Sequence, residues 1–212
     1  MVKNISEEAA EILIDLKCIN FSPKKQFKLT SGKKSPVYCD CRRIISFPKE
    51  RKKLIDFGIS KLKEESKFNK VTNIAGGESA GIPFAAFIAQ KLNLPMTYIR
   101  KEKKKFGKNS QIEGLLSQKD HVLLAEDLMT DGGSKLKFLD AIDKSGANIS
   151  GIFVIFNYGI IKDYYLFKKK KIDVIFLTNW SDVLSVASRK KILKYEEVEI
   201  VESFLENMKI KS

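Results

Sequence analysis

The sequence holds one histidine, one tryptophan, five prolines and three cysteines in 212 residues. Each scarcity excludes something. A Ser-His-Asp hydrolase would need the lone His121 at its centre, and a histidine-rich metal site would need more than one. His121 stands directly before the apolar run Val122-Leu123-Leu124-Ala125, where a strand-entry residue is expected. Cys18, Cys39 and Cys41 are odd in number and show no CxxC spacing, so they form neither a disulfide framework nor a zinc site. Cys39 and Cys41 lie two apart in an expected strand and should share a face as small apolar residues. No apolar run reaches the roughly 18 residues of a membrane helix. The first residues carry no signal-peptide pattern, so a cytoplasmic protein without a membrane partner is expected.

Arginine is scarce as well. Of 39 basic residues only Arg42, Arg43, Arg51, Arg100 and Arg189 are arginine, against 26 acidic residues and a net charge of +13. Nucleic-acid recognition favours arginine for its bidentate fork, so the lysine excess reads as solvated surface and no nucleic acid is expected as a partner. The run Lys168 to Lys171 reads as an exposed helix end. A highly anionic small ligand is another reason for such a charge, and a nucleic-acid-binding regulator is a competing reading.

What is present is an alternation of strands and helices. Ile5, Ala9, Ile12, Leu13, Leu16 and Ile19 share one face of a first helix. Strands are expected at Phe27–Gly32 and Val37–Cys41, separated by turn residues. Pro48 opens a helix running through Leu62. Beyond it, strands are expected over 71–75, 96–100, 122–125, 149–156 and 173–177. Helices are expected over 81–92, 135–144, 181–188 and 195–208. This order predicts an α/β fold with a mainly parallel central sheet flanked by helices. One domain over 1–212 is expected, with hood elements over about 1–45. Residues 101–118 read as a long polar loop, and loops of that length are usually functional or disordered.

The strongest motif is His121-Val-Leu-Leu-Ala-Glu126-Asp127-Leu-Met-Thr130-Asp131-Gly132-Gly133-Ser134. A buried strand delivers two acids, then a glycine-bent turn opens a helix. Helix N-termini offer free N–H groups and partial positive charge, which suits a phosphate. Thr130 and Ser134 add hydroxyls. Acids beside a phosphate repel it, so they need another partner. Vicinal ribose hydroxyls are one candidate and Mg is another. A metal-bound sugar diphosphate meets both demands. Gly76-Gly77-Glu78-Ser79-Ala80-Gly81 has the glycine spacing of a Walker loop, but Ile82-Pro83 replaces its Lys and Ser/Thr. It follows a strand and precedes a helix, so it remains a plausible place for a diphosphate.

The segment from His121 to Ser134 resembles the signature of the type I phosphoribosyltransferases. The resemblance implies that Glu126 and Asp127 hold the ribose hydroxyls, while Thr130, Asp131, Gly132, Gly133 and Ser134 hold the 5-phosphate. It places Gly76, Gly77 and Glu78 at the diphosphate. Phe27-Lys-Leu-Thr30-Ser31-Gly32-Lys33-Lys-Ser-Pro-Val-Tyr38 and Arg100-Lys101-Glu-Lys-Lys104-Lys-Phe106-Gly107 narrow the resemblance to the orotate phosphoribosyltransferases. Arg100, Lys101 and Lys104 would be the cations of a mobile catalytic loop, working with Asp127. Ser31, Gly32, Lys33, Tyr38 and Thr130 would line the orotate. The resemblance further implies Mg carried mainly by the substrate and a homodimer. Its substrates would be phosphoribosyl diphosphate and orotate. Four positions depart from the family pattern. Thr30 and Ala80 stand where lysine is common, Phe106 where histidine is common, and Asn157-Tyr158-Gly159 where an Asp-Arg pair is common. A phosphoribosyltransferase for another base is therefore a second reading.

Overall fold

The computed structural model describes residues 4–29, 32–102, 111–130, 132–159 and 167–211. Its centre is a six-stranded sheet. The strands are β5 (Asn73–Gly77), β6 (Met96–Ile99), β7 (Ile112–Glu113), β8 (His121–Met129), β9 (Asn148–Asn157) and β10 (Val174–Asn179), in the order β10-β9-β8-β5-β6-β7. All neighbours run parallel except β7, which pairs antiparallel with β6. Two short antiparallel pairs lie outside it. In one, β1 (Ile19–Phe21) meets β4 (Val37–Cys39). In the other, β2 (Phe27–Lys28) meets β3 (Lys34–Ser35).

The central strands read as unbroken apolar runs because both faces are covered. Ile152 to Phe156 of β9 are all fully buried. On one face pack α1 (Ile5–Asp15), α2 (Pro48–Glu64), α3 (Gly81–Leu92), α5 (Trp180–Arg189) and α6 (Tyr195–Lys211). On the other, α4 (Gly133–Lys144) brings Phe138, Leu139 and Ile142 against Leu124, Ile152 and Val154. Within α2 the sequence leaves a glycine at 58, where a Cβ would run into the Phe153 ring. Helix α1 packs on β10 and α5, placing it with the body of the sheet rather than over its end.

Several boundaries differ from the sequence expectation. Strand β8 does not stop at Ala125. It continues through the acids to Met129, because β9 keeps pairing with it at Glu126, Leu128 and Met129. The stretch expected as loop contains β7, held to β6 by Tyr98↔Glu113 and Ile99↔Ile112. Cys41 leaves the strand and begins a 3-10 turn, Cys41–Ser46, capped by the Asp40 carboxylate on the Arg42 N–H. Its Sγ still lies 3.6 Å from that of Cys39. Helix α4 opens at Gly133, two residues before the expected start at 135. His121 is the first residue of β8, as expected.

Candidate active site

Strand order reverses between β8 and β5. From β8 the chain winds outward to β9 and β10, and from β5 outward to β6. Ligands of such sheets bind beyond the carboxyl ends of the strands at this switch. Here β8 outruns its neighbour: β5 pairs with it only as far as Gly76↔Ala125. Gly77, the last residue of β5, stands level with Glu126, so Asp127 and the residues after it overhang the end of β5.

Successive strand residues point to opposite faces. Glu126 and Asp127 consequently diverge, and do not form one two-pronged clamp. Both are buried, 4% and 6% exposed. Glu126 turns toward α4 and the β5–α3 turn. Its Oε2 pairs with Lys135 Nζ at 2.8 Å, and its Oε1 has no hydrogen-bond partner. Burial pushes its carboxyl above the usual range. The charge and hydrogen bond of Lys135 pull it back, as does a Gly77 backbone N–H more weakly. Asp127 turns toward the 3-10 turn, near enough to Arg42 and Cys41 to interact with both. Burial raises its pKa too, against the opposing charges of Lys135 and Arg42.

The turn after β8 has the expected glycine-bent form that opens a helix. Gly132 sits at φ 78°, ψ −6°, a left-handed conformation that glycine adopts without strain, and from it α4 begins. The first turn of α4, Gly133, Ser134 and Lys135, thus faces the acids with its N-terminal N–H groups. Thr130 is half-buried and Ser134 exposed; Asp131 lies outside the described residues. Lys135 was not singled out from the sequence. A lysine one residue past the motif looks like any surface lysine, yet it is 8% exposed. Only the pairing of α4 against β8 reveals it.

Across the switch, Gly76 and Gly77 are buried at the end of β5 and Glu78 follows. The Glu78–Ser79 peptide is cis. Glu78 Oε2 accepts the Lys101 N–H at 2.8 Å, tying this turn to the exit of β6. Arg100 leaves β6 beside Glu113, with Nη1 3.8 Å from Oε1. Gln111 and Arg100 exchange two hydrogen bonds of 2.9 Å, backbone N–H to Gln111 O and Gln111 Nε2 to Arg100 O. Arg100, Lys101 and Glu78 are therefore brought together. Lys104 and Phe106 lie outside the described residues.

The hood side is less uniform. Gly32 and Lys33 are exposed at the β2–β3 turn, with Gly32 at φ 79°; Thr30 and Ser31 lie outside the described residues. Tyr38 is 40% exposed, its ring 6.0 Å from Phe27, so it is not a core aromatic. Tyr158, which follows the end of β9, stacks edge-on against Phe156 and Trp180. Its hydroxyl pKa is raised, mainly by burial and then by Cys39 and Cys41. Burial likewise pushes Cys18 up to about 12. All three cysteines are free thiols, Cys18 and Cys41 buried and Cys39 half-buried.

The family model for the phosphoribosyl transferase domain matches residues 48–183, more than half of the chain. An orotate phosphoribosyltransferase of Cereibacter sphaeroides is 43% identical over 206 residues, spanning 97% of this chain and 89% of that protein. One from Rhizobium rhizogenes is 43% identical over 202 residues, spanning 95% and 87%. The chain belongs to the orotate phosphoribosyltransferase family. Solved structures agree on the phosphoribosyltransferase fold. The orotate phosphoribosyltransferase of Aeropyrum pernix superposes with a TM-score of 0.72 at 21% identity, over 87% of this chain and 99% of that one. A Leishmania donovani UMP synthase gives 0.79 at 25% identity, over 95% of this chain but 42% of that longer one. The 3-10 turn Cys41–Ser46 precedes the region that the family model matches, which begins with the first residue of α2.

Proposed function

We propose that this family member is an orotate phosphoribosyltransferase, transferring the 5-phosphoribosyl group from phosphoribosyl diphosphate to orotate and releasing diphosphate. The observation that supports it most is the pair of buried acids near the carboxyl end of β8, next to the glycine-capped start of α4. Carboxylates there repel a bare phosphate and accept hydroxyls; the helix start beside them attracts a phosphate. A ribose 5-phosphate presents both groups at that separation of chemistry. Asp127 and Glu126 would take its hydroxyls, and Thr130, Asp131, Gly132, Gly133 and Ser134 its phosphate.

The reaction breaks the bond from ribose C1 to diphosphate and forms one to a ring nitrogen of orotate. Positive charge grows on the sugar and negative charge on the leaving group. The buried anions beside the ribose would favour the first. Arg100, Lys101 and Lys104 would favour the second, with Gly76, Gly77 and Glu78 shaping the diphosphate's place. Orotate can bring its nitrogen as an anion, so no histidine base is needed. Tyr38, exposed and aromatic, would stack on the base, with Ser31, Gly32 and Lys33 at its polar edge. Among the described residues no three side chains are grouped to hold a metal. The two acids diverge, and one is held by Lys135. That donor set fits Mg brought in on the substrate's diphosphate, where the ion offsets leaving-group charge.

A panel of bases tests the assignment. With phosphoribosyl diphosphate and Mg, diphosphate should be released with orotate and not with uracil, hypoxanthine or adenine. Release with a purine alone would replace orotate as the acceptor. We further propose a cytoplasmic homodimer in which the segment bearing Lys104 serves the neighbour's site. Inactive Asp127→Asn and Lys104→Ala proteins should then regain about a quarter of wild-type activity when mixed, as random pairing of two chains leaves one intact site in half the dimers. No recovery on mixing would contradict loop sharing. No helix among the described residues is long and apolar enough to cross a membrane.

A further inference from the structure

A lysine is buried where the proposed reaction needs anions. Lys135 is 8% exposed, on the first turn of α4, and its ammonium reaches Glu126 Oε2 at 2.8 Å. Among the described residues its other close polar neighbour is Ser134 Oγ, at 3.4 Å. The far oxygen of Glu126 is fully buried and, among the described residues, makes no well-formed hydrogen bond; the Gly77 N–H favours the carboxylate's charge only weakly. That oxygen is confined from behind. A Cβ on Gly77 or on Gly81 would collide with it, so both glycines are needed for the carboxylate to lie where it does. The Phe138 ring also crowds Gly77. Glu126 is thus fixed by one cation at one oxygen and by backbone around the other.

We propose that Lys135 is a positioning residue: its ammonium fixes Glu126 at the strand end and keeps it ionised, so that the carboxylate can serve as acceptor for a ribose hydroxyl. The inference rests on the sugar-phosphate reading of the site. It adds a residue to which neither the sequence motif nor the resemblance gave a role. A lone buried carboxylate would prefer its proton, and a protonated one donates where the sugar needs an acceptor. The groups facing Glu126 bear this out. Lys135 from α4 is the only cation among those that shift it, and Asp127 on its own strand opposes ionisation. From β5 and α3 come Gly77 and Gly81, which carry no charge. Removing Lys135 leaves Glu126 buried beside Asp127 with no cation among the groups that shift it, and with only the weaker Gly77 N–H to favour its charge.

The test separates this from a merely structural ion pair. Lys135→Met removes the ammonium at similar length, and Lys135→Gln keeps a hydrogen-bond donor without charge. In both, the KM for phosphoribosyl diphosphate should rise severalfold or more at neutral pH, since once the pKa passes the pH each further unit costs about tenfold in ionised acid. The defect should shrink as pH rises towards 9. Lys135→Arg should restore most of the binding. Adding Glu126→Gln to Lys135→Met should abolish the pH dependence, because the amide does not titrate. A folded Lys135→Met protein whose defect is the same at every pH would overturn the proposal, as would one with no defect. A second readout needs no substrate. The infrared carbonyl band of protonated Glu126, identified by its loss in Glu126→Gln, should be absent from the wild type at neutral pH and present in Lys135→Gln. Its presence in the wild type would overturn the proposal even if neither lysine variant folds. A correct infrared result in a protein that never binds phosphoribosyl diphosphate would instead refute the sugar-phosphate reading.

Discussion

Asp127 shows most plainly that this site is built at the expense of stability. Burial raises its carboxyl pKa more than Lys135 and Arg42 lower it. A raised folded-state value means the acid favours folding while protonated, and that this contribution is lost as pH rises through it. At neutral pH the ionised group is therefore a burden. Asp127→Asn should melt higher than wild type at pH 7.5, and the gap should close as pH falls and the native acid takes its proton. The same change should lower kcat/KM roughly 10- to 100-fold, since a hydrogen bond to a charged group contributes ~1.5–3 kcal/mol. A variant that loses activity and also melts lower at neutral pH would contradict this. At this scale the sequence was informative about some residues and silent about others. Glu126, Asp127 and Gly132 were legible because a strand-acid-glycine order has few uses. That the acids face opposite ways was implicit in strand periodicity, but only once β8 is known to include them. Lys135 was invisible, because burial of a lysine depends on what packs over it.

The elements around the site follow from local rules that the sequence states well. Helix α3 spans Gly81–Leu92 as expected, and ends on Asn93 in a left-handed conformation that asparagine tolerates. Helix α5 starts with a full capping box: Asn179 Oδ1 accepts the Asp182 N–H, and the Asp182 carboxylate accepts the Asn179 N–H. Asn179→Ala should cost about 1 kcal/mol. In a chain of this length that lowers the melting temperature by ~2–4 °C. The kcat should be unchanged, because Asn179, though at the same end of the sheet, sits at the edge strand β10 with β9 between it and β8. A change in kcat with an unaltered melting temperature would contradict that placement. Two elements escaped the sequence for a common reason. The tail of β8 and the two-residue β7 are strands because of their neighbours, β9 and β6, and not because of their own apolar pattern. Long-range pairing overrides local propensity there.

For the molecule as a whole, fold class was legible and charge was not. Alternating apolar runs and amphipathic segments specified the parallel sheet and its covering on both faces. The net charge of +13 has no single structural cause, since the lysines are spread over helices and turns and many pair with acids. Lys67 with Asp173 and Lys170 with Asp140 are such surface pairs, exposed enough to add little stability. Their collective field is another matter. A substrate with two phosphorylated ends should be drawn in by it, and salt should weaken the draw. The KM for phosphoribosyl diphosphate should rise severalfold between 0.05 and 0.5 M NaCl, where screening shortens from beyond ~10 Å to a few Å. The kcat should move far less. A KM indifferent to salt would show that the surface lysines play no part in substrate capture.

The central claim is that the acids at the end of β8 grip the hydroxyls of a sugar whose phosphate rests on α4. The most direct measurement is calorimetric binding of phosphoribosyl diphosphate and of its 2-deoxy analogue to the wild type and to Asp127→Asn. The wild type should favour the natural sugar by about tenfold or more, the value of one hydrogen bond to a charged group. Asp127→Asn should bind both about equally. If the variant keeps the full preference, Asp127 does not touch the sugar and the account of this site is wrong.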